Sequence, residues 1–396
     1  MAVLPYLVRV LGIETYGLVA FAQSFAQYFN ILTDYGFNFS ATRSIAQNKD
    51  EAGQISRIFC CVFLIKIFLT LVGLIVLGCV LLTVPRMRHD WAIFLFAFVG
   101  VVGNVLFPVW YFQGLERMRY ISVITGAAKV ASAVLLFVFV HRPTDGALAV
   151  VIQSGGIVLA GVIGLVVCLR TMHLDLQWPS WVSLKTCSAD GWHLFVSTAS
   201  VSLYTNSNVF LVGLLAGNVQ AGYFSAAEKL MRAISGLVGP ISQAVFPYVS
   251  SLARTSSQAA LAFIAQCLKW MSGLTLIPVV ILFLLARPIA MLCFGHAALE
   301  AVPVIRWIAP LPFLIAVSNV LGIQTMLIFG LDKQFSRILI SAGIVNIILG
   351  VPLISWRGAQ GAGISVLVTE TVVTLTMILV LRYYRITIPL RVKAAV

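Results

Sequence analysis

The chain has 396 residues, 60% of them hydrophobic and only 10% charged, with a mean hydropathy of +1.01. Soluble domains usually carry about 25% charged residues, so a soluble fold is excluded and an all-α polytopic membrane protein is expected. The net charge of +13 does not indicate nucleic acid, because the basic residues lie in short segments between apolar runs and not in one patch.

In chain order, the apolar runs predict eleven spanning helices, near residues 15–40, 58–83, 91–112, 120–140, 147–169, 192–216, 223–250, 262–286, 305–329, 335–354 and 361–381. Run 58–83 holds one charge, Lys66, and run 359–381 holds one, Glu370. Each is long enough to cross a hydrocarbon core of roughly 30 Å. A further segment, MAVLPYLVRVL at residues 1–11, rises only about 17 Å as a helix and reads as a stub. No separate signal peptide is expected, since nothing near Met1 has a basic region and a small-residue cleavage site.

Segments 43–57, 113–120, 170–190, 251–258, 332–337 and 382–396 hold fourteen Lys and Arg, whereas the alternate segments hold four. The first set is expected to be cytoplasmic, with both termini on that side. The seven cysteines form no CxxC, and Cys60, Cys61, Cys79, Cys168, Cys267 and Cys293 lie in or at the ends of apolar runs. They read as small hydrophobic residues. The five histidines lack metal-ligand spacing, so neither metal nor cofactor is expected.

The two halves of the chain resemble each other. GLERMRYI at 114–121 matches GLDKQFSRI at 330–338, and DGALAVV at 145–151 matches QGAGISV at 360–366. More loosely, Gly12, Gly17 and Ala22 align with Gly217, Gly222 and Ala227, an offset of 205. Equivalent loops fall on the same side, so the repeats are parallel. The expected division is an N-terminal lobe over 1–170, a cytoplasmic linker over 171–190 and a C-terminal lobe over 191–396.

Gln23, Gln27, Asn30, Asp34 and Asn38 recur three or four residues apart and line one side of a helix. The 205 offset places Glu228, Arg232, Ser235, Gly239 and Gln243 on the partner helix. Such stripes avoid lipid. They are read as facing one another across a central cavity; hydrogen bonding within each lobe is the alternative, and Glu228 with Arg232 also fits an ion pair. Lys66, Lys129, Lys229, Lys269 and Glu370 add charge within spans, and their basic excess suits an anionic headgroup such as a diphosphate.

LPYLVRVLGIETYG at 4–17, followed by DYGFNFSATRSIA, resembles the N-terminal signature of Wzx-type O-antigen flippases of the polysaccharide transporter family. IRWIAPLPFL at 305–314, GLDKQF at 330–335 and GAQGAGISVLVTE at 358–370 resemble its C-terminal half. That family belongs to a larger group, the MOP superfamily, with MATE-type multidrug antiporters and lipid II flippases. The resemblance implies two six-helix lobes around a V-shaped cavity in the cell inner membrane. It also implies transport, by alternating access, of undecaprenyl-diphosphate-linked oligosaccharide from the cytoplasmic to the periplasmic leaflet. It places both stripes, with Asn206 and Asn208, on cavity-lining helices, and it suggests a polysaccharide polymerase and a chain-length regulator as partners. Members carry further residues before LPYLVRVLG, which would leave the first helix of this chain incomplete.

On this reading Lys66, Lys129 and Arg232 attract the diphosphate, and Gln23, Gln27, Asn30 and Asn208 bond sugar hydroxyls. Asp34, Glu228 and Glu370 are candidates for coupling to a cation or proton. A multidrug antiporter is the second reading, although bases outnumber acids in the spans. A membrane-embedded polymerase or acyltransferase is the third, disfavoured by the lack of a long loop to carry catalytic groups.

Overall fold

A computed structural model describes residues 3–172, 178–236, 238–295 and 299–389. Their regular structure is helical throughout. In order the helices are α1 (Val3–Asp34), α2 (Phe37–Gln47), α3 (Ala52–Thr83), α4 (Pro85–His89), α5 (Trp91–Leu106), α6 (Val109–Gly114), α7 (Met118–Phe139) and α8 (Gly146–Met172). Then come α9 (Trp181–Ala216), α10 (Asn218–Ser235), α11 (Val238–Thr255), α12 (Ser257–Leu284), α13 (Ala286–Phe294), α14 (Ala301–Ile308), α15 (Leu311–Leu321), α16 (Asp332–Arg357) and α17 (Ala359–Tyr383). A π-helical turn, Gly322–Leu327, continues α15.

Among the described residues nine helical segments are long and apolar enough to cross a membrane. Eight lie close to expected spans. The ninth, Val3–Gln47, joins the expected stub to the 15–40 span, but it is not one rod. Gly12, at φ 74° and ψ 164°, interrupts α1, and Tyr35 and Gly36 separate α1 from α2.

The other two expected spans take a different form. Span 223–250 falls across α10 and α11, which are separated after Ser235. Helix α10 carries Glu228, Lys229 and Arg232 within 18 residues, too much charge for a simple span. Span 192–216 lies in the longer α9, of which the described apolar part is Asn206–Ala216.

The chain forms two compact units, Val10–Ser202 and Met1–Arg9 with Leu203–Val396. In the first, Phe37, Ile45, Ile55, Phe59, Trp110 and Tyr111 form a buried cluster from α2, α3 and α6. Helices α5 and α8 pack closely there: a Cβ on Gly103 would sit 2.6 Å from the Val158 amide. Small residues permit such backbone approach where lipid supplies no hydrophobic driving force. In the second unit, Met326, Ile338, Val373 and Met377 join α16 and α17 through the π turn. Val249, Ile264, Met271 and Val320 join α11, α12 and α15.

Large apolar side chains also cover outer faces. On α3, Phe68, Ile75 and Leu82 are 63%, 67% and 73% exposed. A soluble surface would not tolerate such a continuous stripe; a spanning helix requires one.

Candidate functional site

Within Val10–Ser202, a cavity of about 380 Å³ is lined by Gln27, Asn30, Asp34, Asn38, Lys66 and Asn104, with Phe107 and Ser202 beside them. The 3.6-residue period of α1 brings Gln27, Asn30 and Asp34 to one side. Asn38 belongs to α2, beyond the turn at Gly36, yet its Nδ2 donates to Asp34 Oδ2 at 2.5 Å. Lys66 Nζ lies 3.4 Å from Asp34 Oδ1. Both carboxylate oxygens are therefore engaged. Lys66 is only 3% exposed, and a lysine so buried in a spanning helix needs a counter-charge.

Amides complete the wall. Asn104 Nδ2 donates to Asn30 Oδ1 at 2.9 Å, and Asn30 Nδ2 donates to Gln27 Oε1 at 3.2 Å. Deeper along α1, Gln23 Nε2 donates to Gln153 Oε1 at 2.9 Å, so Gln23 bonds α8 and does not line the cavity.

The turn between Asp34 and Asn38 is held by packing. Gly36 is left-handed at φ 76°, and a Cβ there would meet Leu194 Cβ at 2.8 Å and the Phe195 amide at 2.9 Å. Tyr35 also has positive φ, 44°, and its ring stacks on Phe195 at 5.1 Å between centroids. Both residues pay conformational strain, and the contact with α9 offsets it.

Within the other unit, a cavity of about 220 Å³ is lined by Asn208, Glu228, Arg232, Ser235 and Glu370, with Phe224, Met231 and Leu311 as apolar walls. Arg232 Nη2 donates to Glu228 Oε1 at 3.0 Å and to Asn206 Oδ1 at 3.1 Å. Glu370 is buried, and Ser318 Oγ donates to its Oε1 at 2.6 Å. Asn208 is 4% exposed, and its Oδ1 is buried with no hydrogen-bond partner among the described residues. An acceptor in that state has a pending desolvation cost that a donor entering the cavity would relieve.

The expected site residues thus sort by place. Gln27, Asn30, Asp34, Asn38 and Lys66 meet in one cavity, and Asn208, Glu228, Arg232 and Glu370 meet in the other, with Asn206 bonded to Arg232. Gln243 and Lys129 lie on exposed faces of α11 and α7 and line neither cavity. Asn104, Gln153 and Ser318 were not anticipated. Asn104 is the lone strongly polar side chain between Trp91 and Phe107, and that isolation in an apolar run is the signal that could have found it.

The sequence of residues 1–253 matches the family model described as polysaccharide biosynthesis protein. The chain belongs to this family. Two relatives bear the name "Putative O-antigen transporter". The one from Escherichia coli (strain K12) is 36% identical over 96% of this chain and 91% of its own length. The one from Shigella dysenteriae is 32% identical over 95% of this chain and 94% of its own. The fold of this polysaccharide biosynthesis family member is similar to that of an inward-facing MATE family multidrug resistance transporter of the MOP superfamily. That likeness has a TM-score of 0.76 at 13% identity, covering 96% of each chain. It is also similar to the lipid II flippase MurJ in an inward closed conformation, with a TM-score of 0.75 at 10% identity, over 95% of this chain and 83% of that one.

Proposed function

We propose that the protein is a flippase for undecaprenyl-diphosphate-linked O-antigen or related polysaccharide repeat units, moving them from the cytoplasmic to the periplasmic leaflet by alternating access. The observation that carries this reading is the polar cavity around Asp34 and Lys66, built into helices whose other faces are apolar. A hydrated glycan cannot enter hydrocarbon without losing its hydrogen bonds, a cost of several kcal/mol per unsatisfied polar group. The amides of Gln27, Asn30 and Asn104 would replace water around sugar hydroxyls, and the Asn208 acceptor would do so in the other unit.

The cations have a distinct role. A diphosphate oxygen would compete with Asp34 for Lys66 and with Glu228 for Arg232, since charge-assisted bonds to phosphate are strong. The carboxylates so released, with Glu370 beside Asn208, are the groups that a coupling proton or cation would engage. Direct involvement of Lys129 would require it to act from the exposed face of α7.

Family membership and the names of the relatives support this reading. The internal repeat gains support from backbone geometry as well: Gly12 (φ 74°, ψ 164°) and Gly217 (φ 104°, ψ 167°), which the 205 offset aligns, share one unusual conformation immediately before a helix.

The test is expression in bacteria that lack their own O-antigen flippase but retain the matching polysaccharide machinery. Restored surface polysaccharide is the expected result. Unrestored polysaccharide at normal membrane levels, with broad drug resistance instead, would favour the antiporter reading.

A further inference from the structure

Two cavities outside the polar sites adjoin at one end of α3. The first, of about 540 Å³, is a polar chamber lined by Glu51, Gln54 and Arg57 from the start of α3 and by Ser180 and Ser183 at the start of α9. The second, of about 250 Å³, is an apolar groove lined by Phe59, Phe63, Leu64 and Ile67. Trp178 and Pro179 line both.

The polarity boundary of the helix coincides with that of the cavities. Residues 52–58 read AGQISRI and residues 59–65 read FCCVFLI. The chamber lies along the first stretch and the groove along the second, so the boundary between headgroup and hydrocarbon falls between them. Trp178, 87% exposed, sits at that level, followed by Trp181 at 80%. Exposed tryptophans of this kind anchor a protein at the membrane interface.

The chamber carries both signs of charge. Neither Glu51 nor Arg57 forms an ion pair among the described residues, and the side chain of Glu51 does not cap α3. The first turns of two long helices, α3 and α9, also contribute to the chamber wall, adding partial positive charge.

We propose that this is a binding site for a zwitterionic phospholipid, phosphatidylethanolamine, whose phosphate is held by Arg57, whose ammonium is held by Glu51, and whose acyl chain lies in the groove. Charge complementarity selects this occupant. An anionic headgroup would satisfy Arg57 and leave Glu51 facing like charge.

The experiment uses the full chain in bilayer discs holding equal mole fractions of phosphatidylethanolamine and phosphatidylglycerol with identical acyl chains. Lipid retained after mild detergent extraction is counted by native mass spectrometry. One phosphatidylethanolamine per chain is expected. Arg57→Ala and Glu51→Gln should each lower its retention about tenfold, the loss of one charge-assisted contact. Gly53→Leu fills open space in the chamber wall while keeping both charges, and it should also lower retention; it serves if a charge variant fails to fold. Equal retention of phosphatidylglycerol, or unchanged retention in the variants, would overturn the proposal. So would dependence on Arg57 alone, or displacement by undecaprenyl phosphate at equal mole fraction, which would assign the site to the transported lipid.

Discussion

Lys66 Nζ and Asp34 Oδ1 lie 3.4 Å apart, joining the middle of α3 to the end of α1, and the lysine is 3% exposed. Replacing Asp34 alone strands a buried ammonium, whereas replacing both partners removes the problem. Asp34→Asn should therefore cost about 2 kcal/mol, less than the roughly 3–5 kcal/mol of a fully buried pair because the Asp34 side chain is 31% exposed. Asp34→Asn combined with Lys66→Met should recover most of that loss. Thermal unfolding in detergent checks both. A double variant no more stable than Asp34→Asn would show that the pair does not couple the helices.

Gly36→Ala should destabilise by about 2 kcal/mol or more, since it adds left-handed strain to a collision with the α9 backbone. Gly126→Ala, in the middle of α7 with nothing near its added Cβ, should be neutral or stabilising by up to about 1 kcal/mol. Unfolding midpoints of the two variants, measured side by side, separate a constrained turn from a general intolerance of alanine.

Asn208 has an unsatisfied buried acceptor. Asn208→Leu should leave stability unchanged or raise it by about 1 kcal/mol, while lowering polysaccharide export. That opposition distinguishes a residue kept for a ligand from one kept for the fold. Loss of stability together with export would mean that Asn208 is structural.

The exposed pair Lys49–Glu116, at 2.7 Å, gives a pH dependence. The hydrogen bond and charge of Lys49 hold the Glu116 carboxyl below its ordinary value. A carboxyl depressed in the folded state stabilises above its unfolded pKa, and that contribution is lost as pH falls through the folded pKa. Glu116→Gln should thus melt slightly below the parent at neutral pH, and the gap should close in acid. The effect is small because surface pairs contribute little, and added salt should shrink it further. A gap that persists in acid and high salt would refute the pairing.

Much of the fold was legible because hydropathy is a local property. Runs such as 58–83 declare a span without reference to anything else. The stripe from Gln27 to Asp34 was legible for the same reason, through its period on one helix. What escaped depends on contacts distant in sequence. The turn at Tyr35 and Gly36 is stabilised by Leu194 and Phe195, more than 150 positions away, and no local pattern announces it. Asn104 and Gln153 are single polar residues in apolar runs, without a period to mark them. Span 223–250 reads as one continuous helix from its hydropathy, whereas α10 ends at Ser235 and α11 begins at Val238; Glu228, Arg232 and Ser235 nonetheless line one cavity.

The central claim is the proposal that the cations of the two polar cavities, Lys66 in one unit and Arg232 in the other, each attract the diphosphate of a lipid-linked polysaccharide. Its most direct test is surface O-antigen display, in cells lacking their own flippase, by the Lys66→Met and Arg232→Gln double variant at membrane levels equal to the parent. Export should fall at least about tenfold, the loss expected when even one charge-assisted contact to phosphate is removed. Display equal to the parent would contradict the account.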